Sequence, residues 1–371
     1  MLPNNITEDT LYQIALTFVK DIGPKTSRKL LSHFGAAQNI FEASVKEIKQ
    51  VGGIGEVRAK AFKGTTFLQK AEDELTYIQK HGIKVLTLNS ESYPSRLKLC
   101  EDAPVLLYYK GGASLNASKV VSIVGTRKYT DYGQRVCEKL IEDLSSVQDV
   151  LVLSGLAYGI DTIAHKAAVN HSLPTVGVLG HGLDMVYPAS NKKLAQEMLE
   201  QGGLLSEYPS GVGPDKNHFP MRNRIVAGMA DVTIVIESDI KGGAMITARV
   251  ANGYNRDVAA FPGRVFDTKS SGCNELIRTN VAAMVTCAND VLELMNWDSS
   301  QQEKATQQQL FVSLTEEEQS IVEILKDKDA VHTDTILKQS LMSSSKVAGV
   351  LLQLELQGLV KALPGKNYRL N

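Results

Sequence analysis

Six short apolar runs, separated by segments of helical period, limit this chain to very few folds. They cover residues 120–124, 150–153, 175–179, 203–206, 232–236 and 258–261. Val232, Thr233, Ile234, Val235 and Ile236 show the pattern: β-branched at every step, where a half-exposed strand would alternate with polar residues. Repeated strand–helix alternation predicts an α/β fold, an extended Rossmann-like parallel sheet, doubly wound with right-handed crossovers. Such sheets bind ligands outside the carboxyl ends of their strands, so the strand-to-helix turns are where chemistry is expected.

The richest of these turns lie in residues 218–247. Phe219-Pro220 is followed by Arg222, Asn223 and Arg224. Proline fits a helix's first turn, so a helix is expected to begin there, with exposed N–H groups and a positive dipole end that favour anions. After the strand at 232–236, Gly242 and Gly243 let the backbone approach a ligand closely before a second helix opens. Two helix N-termini, two arginines and an aromatic ring converge on one sheet edge, a set suited to a phosphate chain carrying bases.

Three further turns add to this edge. Gly125-Thr126-Arg127-Lys128 follows the first run. It lacks the glycine spacing of a dinucleotide fingerprint but places a guanidinium suited to bidentate phosphate contact. Next come Ser154-Gly155-Leu156-Ala157-Tyr158-Gly159-Ile160-Asp161 and Ala164-His165-Lys166. Asp161 is expected to cap the helix. His165 has the chemistry of a general base but no partnered nucleophile, so a packed, hydrogen-bonded histidine is expected. Gly180-His181-Gly182-Leu183-Asp184 offers no further ligands at metal spacing, and Asn191 is expected to cap the helix that follows.

The chain divides into a helical domain (1–82), the sheet domain (83–297), a Gln- and Ser-rich linker (298–313) and a small C-terminal domain (314–371). In the first, Ile22-Gly23-Pro24 and Val51-Gly52-Gly53-Ile54-Gly55 each precede a helix bearing basic residues. This reads equally as a helix-hairpin-helix whose turn amides hold a phosphate and as a plain αα-hairpin that needs glycine at its turns. In the last, Thr315 to Glu318 forms a capping box opening one helix. A second is expected at 334–339, a third after Ser343-Ser344-Ser345, and then a hairpin around Pro364-Gly365-Lys366, together a winged helix.

The formal net charge of -1 excludes a global basic field, so any nucleic-acid site is a local patch. Cys100, Cys137, Cys273 and Cys287 form no CxxC pair, which predicts reduced thiols and no metal site. The first ten residues have no basic and apolar leader pattern, and no stretch reaches membrane-span length. A cytoplasmic protein without a membrane role is expected, with no cofactor.

Taken in order, the motifs GTRxxxxYG, SGxAxGIDxxAH, VGVLGxGLDxxYPxxN, SEYPxGxxPxxxxFPxRNRIVAG, GGAMITA and FPG closely resemble the DNA-processing protein DprA (Smf) family, across most of residues 90–297. The resemblance implies a protein without catalytic turnover that binds single-stranded DNA and forms homodimers. It also implies loading of the RecA recombinase onto that strand during natural transformation. By resemblance, Arg127, Lys166, Phe219, Arg222, Asn223, Arg224, Gly242 and Gly243 form the strand-binding set. The apolar run 282–285 and the segment 291–294 are candidates for the dimer contact. A rival expectation is a nucleotide phosphoribohydrolase-like enzyme on the same edge. Its PGGxGTxxE turn is incomplete here, and Arg249 lies where the acid would fall, a cation that cannot replace a carboxylate.

Overall fold

The computed structural model describes residues 8–297 apart from Thr65, and 314–370 apart from Asp327, Asp329 and Pro364. The expected linker therefore lies outside the described residues. The chain forms two compact units, residues 1–299 and 300–371.

The first unit is built on nine strands: β1 (Lys84–Thr87), β2 (Leu106–Gly111), β3 (Lys119–Val124), β4 (Val150–Ser154), β5 (Thr175–Leu179), β6 (Gly203–Ser206), β7 (Val232–Val235), β8 (Asp257–Ala260) and β9 (Ala283–Met284). Their order is β1-β2-β6-β5-β4-β3-β7-β8-β9. From β6 to β9 all neighbours are parallel. On the other side β2 joins β6, and β1 joins β2, antiparallel, so the sheet is mixed rather than wholly parallel. All six apolar runs are strands. The unbroken apolar pattern has a direct cause: Val120 and Val124 of β3 enter one hydrophobic cluster, and Val121 and Ile123 the other. Both faces are covered, so the strand is almost wholly apolar, and its buried Ser122 is accommodated by donating to the Thr233 hydroxyl of β7 at 2.8 Å.

From β3 the chain winds through β4 and β5 to β6 on one side. It then crosses back and lays down β7, β8 and β9 on the other. The winding direction reverses between β3 and β7, and the crevice at their carboxyl ends is the switch point of the fold.

Among the described residues, six helices precede the sheet, Glu8–Thr17, Pro24–Phe34, Ala37–Glu42, Val45–Gln50, Glu56–Ala61 and Thr66–His81. They share one buried cluster with Leu106 and Tyr108 of β2, so they complete the sheet's core rather than standing apart from it. Several basic residues near their turns are engaged within the molecule. Lys25 pairs with Glu101 at 2.6 Å, Arg28 donates to the Cys100 carbonyl, and Lys49 and Lys60 both reach Glu56.

The second unit has helices Glu316–Leu325, Thr333–Ser340 and Ser344–Leu356 and strands β10 (Val331–His332), β11 (Val360–Leu363) and β12 (Asn367–Leu370). The Thr315–Glu318 capping box is complete. β12 lies between β10 and β11, which makes the wing. Lys346, the only cation on the third helix, pairs with Glu317 of the first.

The segments expected to form a dimer contact face inward. Ala282, Val285, Val291 and Leu292 are all buried in the cores on the two sheet faces, and Met284 alone of 282–285 is markedly exposed. Short apolar runs near a chain's sheet edge look the same in sequence whether a second copy or the chain's own helices cover them.

Candidate nucleic-acid interface

A cleft of about 820 Å³ opens at the switch point. Its walls are the turns after β3, β4 and β7, together with the start of helix His218–Met229. The β3 turn is held rigidly. Thr126 N donates to the Glu237 carbonyl at 2.7 Å, and Ile160 N donates to the Thr126 carbonyl at 3.2 Å. The buried Glu237 carboxylate takes the Thr130 amide (2.9 Å) and hydroxyl (2.6 Å). Both ends of the loop bearing Arg127 and Lys128 are thus fixed, while their side chains are exposed.

Arg127, Lys128, Lys216 and Lys269 line the cleft, and none makes an ion pair among the described residues. The Arg127 guanidinium stands 5.8 Å from the centre of the half-buried Phe219 ring, and Tyr187 lies 5.9 Å beyond it. Arginine, phenylalanine and tyrosine form a ladder along one wall. Gly243 has nothing within 4 Å of where a Cβ would stand, so a side chain there would project into open space beside the cleft. Asp161, the one carboxylate lining the cleft among the described residues, does not cap the helix end as expected. It lies inside helix Ile160–Asn170 and accepts from the Gly155 (3.1 Å) and Ala157 (3.4 Å) amides.

The two arginines of the RNR triplet behave differently from Arg127. Arg222 is 4 % exposed and donates to the Gly155 carbonyl at 2.5 Å and to the Val178 carbonyl. Burial pulls its pKa down, opposed by the charge of Asp161, and burial pushes Asp161 up against the charge of Arg222. A Cβ on Gly155 would lie 2.4 Å from this guanidinium, so the glycine makes room for it. Arg222 forms the floor of the cleft, with Asn223 beside it accepting its Nε–H at 3.2 Å. Arg224 does not line the cleft. It pairs with Glu207 and donates to the Asp102 carbonyl at 2.7 Å, tying the helix to the loop before β2.

Lys166 also lies outside the cleft. It is exposed on the outer face of helix Ile160–Asn170, where it lines a separate cavity. His165 is the packed histidine expected: fully buried, with Nδ1 2.7 Å from the Thr175 hydroxyl. Asn191 occupies the N-cap position without capping, since its amide donates to the Leu156 carbonyl and the Thr162 hydroxyl. Helix His218–Met229 starts two residues before Pro220. Tyr187, Lys128, Lys216 and Lys269 were not singled out from the sequence. Lys128, Tyr187 and Lys216 fall inside quoted motifs, the two lysines at variable positions, whereas Lys269 sits in a loop with no local pattern to mark it. Among the described residues no group of three or more His, Cys, Asp or Glu is placed to hold a metal ion. No helix there is long and apolar enough to cross a membrane.

A Rossmann-like sheet with a cationic, aromatic cleft at its switch point defines a doubly wound α/β protein whose cleft has the chemistry to receive an anion. Comparison with known proteins narrows the class. Models of the DNA recombination-mediator protein A family, of the DprA winged helix domain and of a SAM-like helix-hairpin-helix tandem match residues 84–296, 303–366 and 14–61. Protein Smf of Synechocystis is 31% identical, with 96% of this chain and 98% of that protein aligned. The structure of DNA processing protein A from Streptococcus pneumoniae superposes with a TM-score of 0.66 at 34% identity, covering 78% of this chain and 98% of that one. The same protein from Helicobacter pylori, solved for its single-stranded DNA binding mode, has a TM-score of 0.53 at 31% identity and covers 58% and 96%. The chain belongs to the DprA family of DNA-processing proteins.

Proposed function

We propose that this protein binds single-stranded DNA in the switch-point cleft, protects it and loads a RecA-type recombinase onto it during DNA uptake. The observation that carries this reading is the ladder of Arg127, Phe219 and Tyr187 beside three further cations without ionic partners. Unpaired cations neutralise phosphates and release counterions. Aromatic faces stack bases of any identity, at about 1–3 kcal/mol per base. Backbone and stacking contacts carry little sequence information, so binding is sequence-tolerant. Family membership supports the same reading, and with it the cytoplasmic setting, the homodimer and the recombinase partner.

The enzymatic alternative is disfavoured by the cleft's acid. Asp161, its one lining carboxylate among the described residues, is tied to two amides and faces Arg222. Arg249 is exposed on helix Gly243–Gly253 and supplies no base.

The test is a competition. A labelled single strand of mixed sequence should be displaced by unlabelled single strand far better than by duplex, and RecA should assemble faster on that strand when the protein is present. Equal competition by duplex would reject the strand preference. Unchanged RecA assembly would reject the loading role.

A further inference from the structure

We propose that the bound strand leaves the cleft over the Gly155–Gly159 turn and enters a second subsite, where bases stack on Tyr129 and Tyr158 and Lys166 meets a phosphate. The proposal rests on the single-strand reading of the cleft and extends it to a site with its own aromatic residues. A cavity of about 530 Å³ lies behind that turn, and Tyr129, Tyr158, Gly159 and Lys166 line it.

The two cavities share their walls. On the loop after β3, Arg127 and Lys128 line the cleft and the next residue, Tyr129, lines the second cavity. On the loop after β4, Ala157 lines the cleft, and Tyr158 and Gly159 line the second cavity. One residue step on each of two loops separates the sites. At that step the loops touch as bare backbone. Gly159 has φ +84°, and a Cβ there would lie 2.2 Å from the Thr126 carbonyl oxygen and 2.6 Å from the Arg127 Cα. The joined backbones form a ridge between the two cavities without a side chain at Gly159, and the strand crosses over that ridge.

The side chains on the far side are free to take a ligand. Tyr129 and Tyr158 are 45% and 51% exposed, and neither ring stacks nor does either hydroxyl hydrogen-bond among the described residues. Two exposed tyrosines on separate loops, bordering one cavity, give a stacking surface with hydroxyl groups that can serve base edges or phosphate. Lys166 is exposed and makes no ion pair among the described residues. Glu138, the carboxylate on the rim, accepts from Gln134 at 2.8 Å. This arrangement gives Lys166 a phosphate to meet although it lies outside the cleft.

A length series on the full chain tests the proposal. Strands of about 5 nucleotides fill the cleft alone, and strands of about 15 reach both cavities, lengths within the range of known single-strand site sizes. The double variant Tyr129→Ala/Tyr158→Ala should weaken the long strand about tenfold, leave the short one unchanged and melt like the parent. The Tyr→Phe pair should keep long-strand affinity, because stacking survives. Phe219→Ala should weaken both lengths. If the Tyr→Ala pair binds the long strand like the parent while Phe219→Ala weakens both, the second subsite is wrong and the cleft stands. If Phe219→Ala changes neither length, the cleft reading fails and takes the second subsite with it. Thymidine monophosphate binding that the Tyr→Ala pair abolishes, with long-strand affinity unchanged, would show a free-nucleotide site and overturn the proposal.

Discussion

Arg127 and Arg224 bear the same charge in opposite surroundings. Arg127 is exposed, unpaired and stacked near Phe219; the Arg224 side chain is 6% exposed against a Glu207 that is 11% exposed. Burial pushes the Glu207 carboxyl up, against the pull of Arg224. Arg224→Met should therefore destabilise the fold by about 3–5 kcal/mol in denaturant titrations, since it strands a buried carboxylate. Arg224→Met/Glu207→Leu should recover most of that loss. If Arg224→Met unfolds like the parent, the pair is not structural. His165 makes a second residue-scale case. Burial drives its imidazole down to about 3, from an ordinary value near 6.5. The unfolded chain takes up that proton first as pH falls. The histidine's contribution is then neutral above about pH 7, and stability is lost from about pH 6.5 towards 3, by about 1.4 kcal/mol per unit. His165→Gln should shrink the acid-side slope of stability by that amount. Equal slopes between pH 6 and 4 would show that the imidazole is protonated in the folded state.

At the scale of elements, the turn after β4 positions the β3 loop. Gly159→Ala would force a Cβ against the Thr126 carbonyl at positive φ, so it should lower stability by more than about 1 kcal/mol and weaken strand binding with it. A parent-like melt and affinity would deny that the two loops are coupled. The C-terminal winged helix is a different matter. Such folds read duplex DNA with the third helix in the major groove, but Lys346 there is already paired with Glu317. Lys361 and Arg369 face each other on the wing and Lys366 is exposed on its turn, three cations that are too few for a groove-binding surface. Deleting everything after Trp297 should leave single-strand affinity nearly unchanged, and a large loss with an intact circular dichroism spectrum would assign the wing to DNA. The six central strands were legible because burial on both faces leaves an unmistakable apolar run. β1 and β2 were missed because they join the edge antiparallel, without a crossover helix to announce them, and β9 because it has two residues.

At the scale of the whole molecule, the site was legible as a place more than as a list. Arg127, Phe219, Asn223 and the Gly242-Gly243 turn do meet at one cleft. The orientation of Arg222 and Arg224 was not legible, because their partners Gly155, Val178 and Glu207 lie 67, 44 and 17 residues away. Homodimer formation belongs to this scale as well. With 282–285 and 291–294 largely buried, a dimer through the sheet unit has to use other surface, and two clefts in one particle would raise the effective concentration on a long strand. Light scattering of the chain ending at Trp297 should give twice the monomer mass at micromolar concentration; monomer alone would refute a dimer through the sheet unit.

The most direct test of the cleft itself is its salt dependence. Affinity for a mixed single strand should be measured across a salt series for the parent and for Arg127→Ala/Lys216→Ala. Removing two phosphate contacts should make the slope of log affinity against log salt shallower by about 1.4, equally for all sequences. An unchanged slope in the double variant would mean that the strand does not lie in the switch-point cleft.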